Sequence, residues 1–316
     1  MQKIERKSIW FNSADGKNKI AGFFYTCPEV EPFCVLQISH GMCEYIDRYQ
    51  DFAYFLARNG VVVCGNDHLG HGASASTEDD LGYFTEKGGR KFALQDLHTM
   101  NQKAHEAYPH LPVVLLGHSM GSFFARRYAA LWPKTISGLV ISGTGGPNPL
   151  AAAGIAMAGL VAKIKGPRHR SSLVHNMAFG AYLKKIENPK TPYDWISRDE
   201  EIVALYANDA KCVFQFTVNG FHELFSALKD VSSPGWAAGI NKQMPVYMFA
   251  GDADPVGDYG KGVVTVYNWL RDAGVKNVQL KLYPGGRHEM LNETNRAEVY
   301  DDVLEFLKAN FGTNAV

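Results

Sequence analysis

Residues 115–133, LLGHSMGSFFARRYAALWP, place Ser119 between Gly117 and Gly121, directly after an apolar run and directly before a helix-like segment. The pattern is G-x-S-x-G, with PVVLLG (112–117) reading as a buried strand and 122–131 as a helix. A serine at so sharp a strand-to-helix turn has strained torsions, and a Cβ at either flanking position would collide with the neighbouring strand or helix. The strain exposes Oγ, and the following helix sets its N-terminal dipole beneath a developing negative charge. A plain glycine-bracketed turn is the alternative, and the rest of the chain decides between the two.

Outward from this turn the sequence alternates. β-rich runs lie at 8–11, 20–25 and 33–39, then at 61–66, 112–117, 136–142, 245–251 and 277–283. Helical patterns lie at 90–108, 122–131, 262–272 and 296–310. Continuous apolar strands separated by helices predict an α/β protein, with a mostly parallel eight-stranded sheet covered by helices on both faces and an antiparallel start. From 145 to 235 strand signals stop. This predicts a helical cap inserted after the sixth strand, with 1–144 and 236–316 forming the core.

Within the insertion, LAAAGIAMAGLVA (150–162) is apolar on all sides and too short to span a bilayer. It reads either as a buried cap helix or as the wall of an acyl tunnel that also touches lipid. Lys163, Lys165, Arg168 and Arg170 follow, as a solvated basic loop or as a cluster for a phospholipid headgroup. Ser197 and Glu200 have the spacing of a capping box.

Lysine plus arginine equals aspartate plus glutamate at 32 each, which gives no long-range pull toward nucleic acid. The N-terminus lacks the apolar core of a signal peptide, so a cytoplasmic location is expected. The five cysteines form no CxxC pair, which argues against a disulfide framework or a zinc site.

A serine hydroxyl needs a base, and the base needs an orienting partner. The strand at 245–251 runs into GDADPVGD, and the strand at 277–283 into PGGRHEM, which offers His288. Both loops lie beyond the carboxyl ends of strands, where such sheets place their chemistry. The first loop carries Asp252, Asp254 and Asp258. A calcium loop is disfavoured because Val263 occupies the position of the closing glutamate. Asp67, His68 and His71 in DHLGHG read as turn-formers rather than metal ligands.

Five passages in order, SHGMCEYIDRY (39–49), NDHLGHGAS (66–74), LLGHSMGS (115–122), GDADPV (251–256) and GGRH (285–288), resemble the α/β-hydrolase family of lysophospholipases and monoacylglycerol lipases, with its related serine aminopeptidases. The resemblance runs from about residue 35 to 290, the insertion excepted. It implies the α/β-hydrolase fold, with Ser119 as nucleophile, His288 as base and Asp254 as acid, the last matching a GxxDxxV arrangement. Asp252 then becomes a turn-former bonded to its own backbone. The main-chain amides of Met42 and Met120 become the oxyanion donors.

Substrate-binding positions implied by the resemblance are His40, Gly41, Glu44, Arg48 and Leu291, the last standing where similar monoacylglycerol lipases carry a second histidine. Ser122 replaces a glycine common after GHSMG and reads as a packing change. The implied reaction is hydrolysis of a lipid-like ester, monoacylglycerol or lysophospholipid, through an acyl-serine. A serine aminopeptidase or thioesterase is the alternative within enzymes, and a ligand-binding receptor with an idle triad the alternative outside them. No cofactor, metal or nucleic-acid partner is implied; transient membrane-surface contact is an expectation from the apolar and basic residues of the cap itself.

Overall fold

Runs such as VVVCGN and VVLLGH have no polar face, so they are stable only where helices cover both sides of the sheet. The computed structural model describes residues 2–312 and places them there. β1 (Glu5–Asn12) and β2 (Lys19–Thr26) form an antiparallel ribbon at one edge. β3 (Cys34–Ser39), β4 (Val61–Asn66), β5 (Val113–His118), β6 (Gly138–Ser142) and β7 (Val246–Gly251) are buried along their whole lengths, and β8 (Val278–Tyr283) closes the other edge. The order is β1-β2-β4-β3-β5-β6-β7-β8, parallel from β4 to β8. This is the α/β-hydrolase fold, with the eight strands and antiparallel start that the sequence predicts.

α1 (Gln50–Arg58) packs on one face of the sheet; α2 (Gly89–Ala107) and α3 (Met120–Leu131) pack on the other. The sequence reading omitted α1, although Phe52, Ala53, Leu56 and Ala57 recur at helical spacing and are buried. Between β6 and β7 the described residues hold helices and no strand: α4 (Ala151–Lys165), α5 (Ser172–Phe179), α6 (Glu200–Ala207) and α7 (Val218–Asp230). α8 (Lys261–Asp272) joins the face of α2 and α3, and α9 (Arg296–Phe311) that of α1. Among the described residues no helix is long and apolar enough to cross a membrane.

α4 departs from the reading of a buried helix. Its small residues Ala151, Gly154 and Ala158 face inward, and Gly154 lies so close to Phe225 of α7 that a Cβ would meet the ring at 2.8 Å. The opposite face is in solvent: Leu160 is 53% and Ile164 70% exposed. The capping box also resolves differently. Asp199, not Ser197, caps α6, accepting from the N–H groups of Glu201 and Ile202, while Ser197 is buried and donates to Asn292 O.

Candidate active site

β5 ends at His118, and the chain reverses into α3 through Ser119, whose φ is +52°. A left-handed torsion on a side-chain-bearing residue is strained and needs support from its surroundings. Support comes from Ser119 N–H, which donates to Ser142 O at 3.0 Å, and from Ser119 O, which accepts from the N–H and hydroxyl of Ser122. Ser122 is therefore more than a packing change: it anchors the elbow, and its Oγ lies 2.6 Å from Thr144 Oγ1. The glycines fit the steric argument. A Cβ on Gly121 would strike the carbonyls of Ser39 and His40, and one on Gly117 would lie 2.6 Å from Ala125 Cβ.

The loop after β7 presents Asp254 and the loop after β8 presents His288, both buried, with His288 Nδ1 2.9 Å from Asp254 Oδ2. The other oxygen, Asp254 Oδ1, accepts from Val256 N–H at 2.9 Å and fixes the carboxylate plane. Burial works to lower the His288 pKa, but the Asp254 carboxylate outweighs it, with Glu289 and Glu44 adding to the field. The result is a pKa above the ordinary histidine value. Asp252 does not bond to its own backbone; its Oδ1 accepts from Gly285 N–H at 2.7 Å and ties the two loops together. Ser119, His288, Gly41, Met42, Glu44 and Met120 share one cavity of about 910 Å³. No hydrogen bond joins Ser119 Oγ to His288 among the described residues.

The 40–44 loop lies against Ser119: a Cβ on Gly41 would fall 3.1 Å from Ser119 Cβ. Glu44 accepts from the Gly41 N–H, and from Tyr49 OH at 2.8 Å. His40 is buried below the loop and off the cavity. Its Nε2 accepts from His68 N–H at 2.9 Å, so Nδ1 carries the proton and donates to Gly41 O at 2.8 Å. With that carbonyl held, the trans Gly41–Met42 peptide points the Met42 N–H the opposite way, and this N–H has no backbone acceptor among the described residues. Burial pushes His68 and His71 down to about 3 and 4, so both are neutral near pH 7. Asp67 accepts from the N–H groups of Ile46 and Ala73, as a turn-former does.

A profile described as serine aminopeptidase, S33 (Hydrolase_4) matches residues 30–295. The chain belongs to that family. A monoacylglycerol lipase from Mycolicibacterium smegmatis is 28% identical over 285 residues, covering 89% of this chain and 90% of the relative. The phospholipase YtpA of Bacillus subtilis is 25% identical over 87% of this chain and 95% of its own. Among solved structures, a highly thermostable carboxyl esterase from Bacillus coagulans, in complex with glycerol, is 34% identical with a TM-score of 0.91, covering 97% of this chain and 99% of the esterase. The S33-family chain is a hydrolase.

Two substrate-binding positions expected from the resemblance lie off the cavity of this hydrolase, besides His40. Arg48 is a cross-tie: it donates to Glu44 at 3.2 Å and, through both terminal nitrogens, to Glu289 at 2.7 Å, joining the 40–44 loop to the His288 loop. Leu291 packs into the core beneath α9. Gly41 and Glu44 do line the cavity. Arg168 and Arg170 are committed elsewhere. Arg168 pairs with Asp80 at 2.9 Å over the Tyr83 ring, and Arg170 donates to Leu81 O at 3.0 Å and to Gln215 O. They lash the insertion to the 79–83 loop, with the Arg168 side chain still 52% exposed; Lys163 and Lys165 are exposed.

Sequence reasoning also passed over Arg126 and Glu289 of the S33-family chain, and gave Trp195 no role at His288. Arg126, on α3, is fully buried and donates to Thr144 Oγ1 (3.2 Å), Gly145 O (2.9 Å) and Val231 O (2.6 Å). It thus grips the chain where the insertion leaves the sheet and where it returns. Burial pulls its pKa down to about 9, and no carboxylate pairs with it among the described residues. A cation inside α3 resembles a solvent-facing helix position, so nothing in the sequence flags it. Glu289 directly follows His288, and that adjacency was a usable signal.

Proposed function

We propose that this hydrolase cleaves lipid-like carboxylic esters through an acyl-serine intermediate, with monoacylglycerols preferred to lysophospholipids. The observation that carries the reading is the convergence of a strained Ser119 and a buried His288–Asp254 pair on one cavity. Ser119 Oγ attacks the acyl carbon as its proton passes to His288, forming the C–O bond and an imidazolium that Asp254 orients and stabilises. The tetrahedral oxyanion lies against the N–H groups of Met42 and Met120. His288 returns the proton to the departing alcohol as the ester bond breaks. Water then attacks the acyl-serine by the same route.

Cavity composition supports the substrate class. Leu150, Ala151, Phe179, Leu224, Phe225 and Leu228 give it an apolar wall for an acyl chain, supplied by the 145–235 cap. Its lining contains one lysine, Lys261, and no arginine, which favours a neutral headgroup. Two of the relatives point the same way, a monoacylglycerol lipase by name and an esterase bound to glycerol, and the third, a phospholipase by name, keeps lysophospholipid as the second substrate. Leu150, Leu160, Ile164, Leu173 and Met177 are exposed on the cap, and we read them as its transient contact with a lipid surface.

Initial rates on matched long-chain monoacylglycerol, lysophosphatidylcholine and aminoacyl amide, for the wild type and Ser119→Ala, test this. The expected order is glyceride, then lysophospholipid, then amide, with all three lost in Ser119→Ala. Amide turnover exceeding ester turnover, or a fully active Ser119→Ala, contradicts it.

A further inference from the structure

His288 lies between two aromatic rings brought from distant parts of the chain. On one side is His118 of the elbow, with ring centres 4.7 Å apart. Burial, together with the neighbouring His288, pushes His118 down to about 3, so this ring is neutral when His288 titrates. On the other side is Trp195 of the cap, 5.0 Å away with the planes inclined by 39°.

The cap also holds the His288 loop through the main chain. His288 N–H donates to Trp195 O at 3.4 Å, and Glu289 N–H to Ile196 O at 2.7 Å. Side chains fasten the same two segments on either side. Arg287 donates to Asp194 O and Ser197 O at 2.5 and 2.9 Å, and Arg198 pairs with Glu293 at 3.0 Å. Trp195 is backed by Tyr182, 4.9 Å away, and is half-buried at the cavity wall. This segment is the one part of the described cap bonded to the His288 backbone.

We infer that Trp195 is a positioning residue for His288, a cap side chain whose ring holds the imidazole in place and favours its protonated form, so that seating of the cap governs activation of Ser119. The inference rests on the reading of His288 as the base. An indole face is the strongest of the aromatic cation acceptors and acts within about 6 Å of the charge. In turnover from the active, neutral form the imidazolium appears as Ser119 gives up its proton, so the contact strengthens on the way to the transition state rather than in substrate binding. The ionisable groups around His288 are the carboxylates of Asp254, Glu289 and Glu44, the Arg48 guanidinium between the last two, neutral His118, and the Tyr182 hydroxyl near Asp254. Trp195→Leu leaves every one of these in place.

The test is the pH profile of p-nitrophenyl acetate hydrolysis, a substrate too small to need the acyl wall, in full-length wild type, Trp195→Leu and Trp195→Phe. Trp195→Leu should lower the kcat/KM midpoint by about 0.4 to 0.7 pH units and kcat by about 2- to 5-fold, with KM changed less. Trp195→Phe should recover most of both. An unmoved midpoint with unmoved kcat, or a loss carried by KM alone, overturns the inference. If Trp195→Leu fails to fold, the chain labelled with 5-fluorotryptophan, which weakens the ring face and keeps its shape, is expected to shift the midpoint in the same direction; no shift overturns the inference. A His288→Ala enzyme as active as wild type would instead overturn the base assignment, a separate result.

Discussion

On the sheet side of the cavity, the geometry around Ser119 is made by backbone at its closest approach: Gly121 against two carbonyls, Gly117 against α3, and a left-handed serine held by Ser142 and Ser122. Across the cavity the cap is made differently. Its helices carry exposed leucine and isoleucine, and arginines fasten it at separate stations: Arg126 beneath, Arg168 and Arg170 at the 79–83 loop, Arg287 and Arg198 at the His288 loop. Close-packed backbone tolerates almost no change, whereas side-chain anchors can be lost one at a time. The contrast teaches that reaction geometry and substrate access are supported by separable sets of contacts in one chain.

The sharpest way to break that comparison is a pair of glycine substitutions. Gly121→Ala should destabilise the protein by at least about 3 kcal/mol in urea melts, because its Cβ meets backbone that cannot swing away. Gly159→Ala in α4 has nothing within 4 Å and should be neutral or stabilising by up to about 1 kcal/mol. Similar losses at both sites would erase the distinction. Next, Arg126→Met should remove about 2 to 3 kcal/mol, since it strips donors from the buried carbonyls of Gly145 and Val231. Limited proteolysis should then cut near both cap junctions, and a loss below about 0.5 kcal/mol would mean the grip is incidental.

Activity should fall about tenfold per pH unit below the His288 midpoint, because the neutral imidazole is the active form. Since Asp254 and its neighbours raise that pKa, the midpoint of kcat/KM belongs above the ordinary value of about 6.5; a midpoint below it would contradict the electrostatics. The smallest effect is expected on the cap surface. Leu160→Gln and Ile164→Gln should change stability by less than about 0.5 kcal/mol and leave p-nitrophenyl acetate turnover intact. Turnover of emulsified monoacylglycerol should drop several-fold, and unchanged rates would remove the lipid-contact role.

What could be read from the sequence follows the same division. The strands, the elbow and the loops carrying Asp254 and His288 were legible because buried strands and forced glycines leave local signatures. Residues that act across the fold were not. Arg48 and Leu291 sit at positions matched by resemblance, yet one is a buried cross-tie and the other core, a matter decided by where their side chains point. His40 works from below, through a carbonyl. Trp195 reaches His288 only because a segment more than ninety residues away folds back on it, and no local pattern encodes that meeting.

The most direct measurement is intact-mass analysis of the full-length chain after brief exposure to a fluorophosphonate, with the adduct mapped by peptide sequencing. A single rapid adduct on Ser119, slowed by His288→Ala and absent in Ser119→Ala, is the predicted result. An enzyme that turns over esters while Ser119 stays unlabelled, or that carries its adduct on another residue, would contradict it.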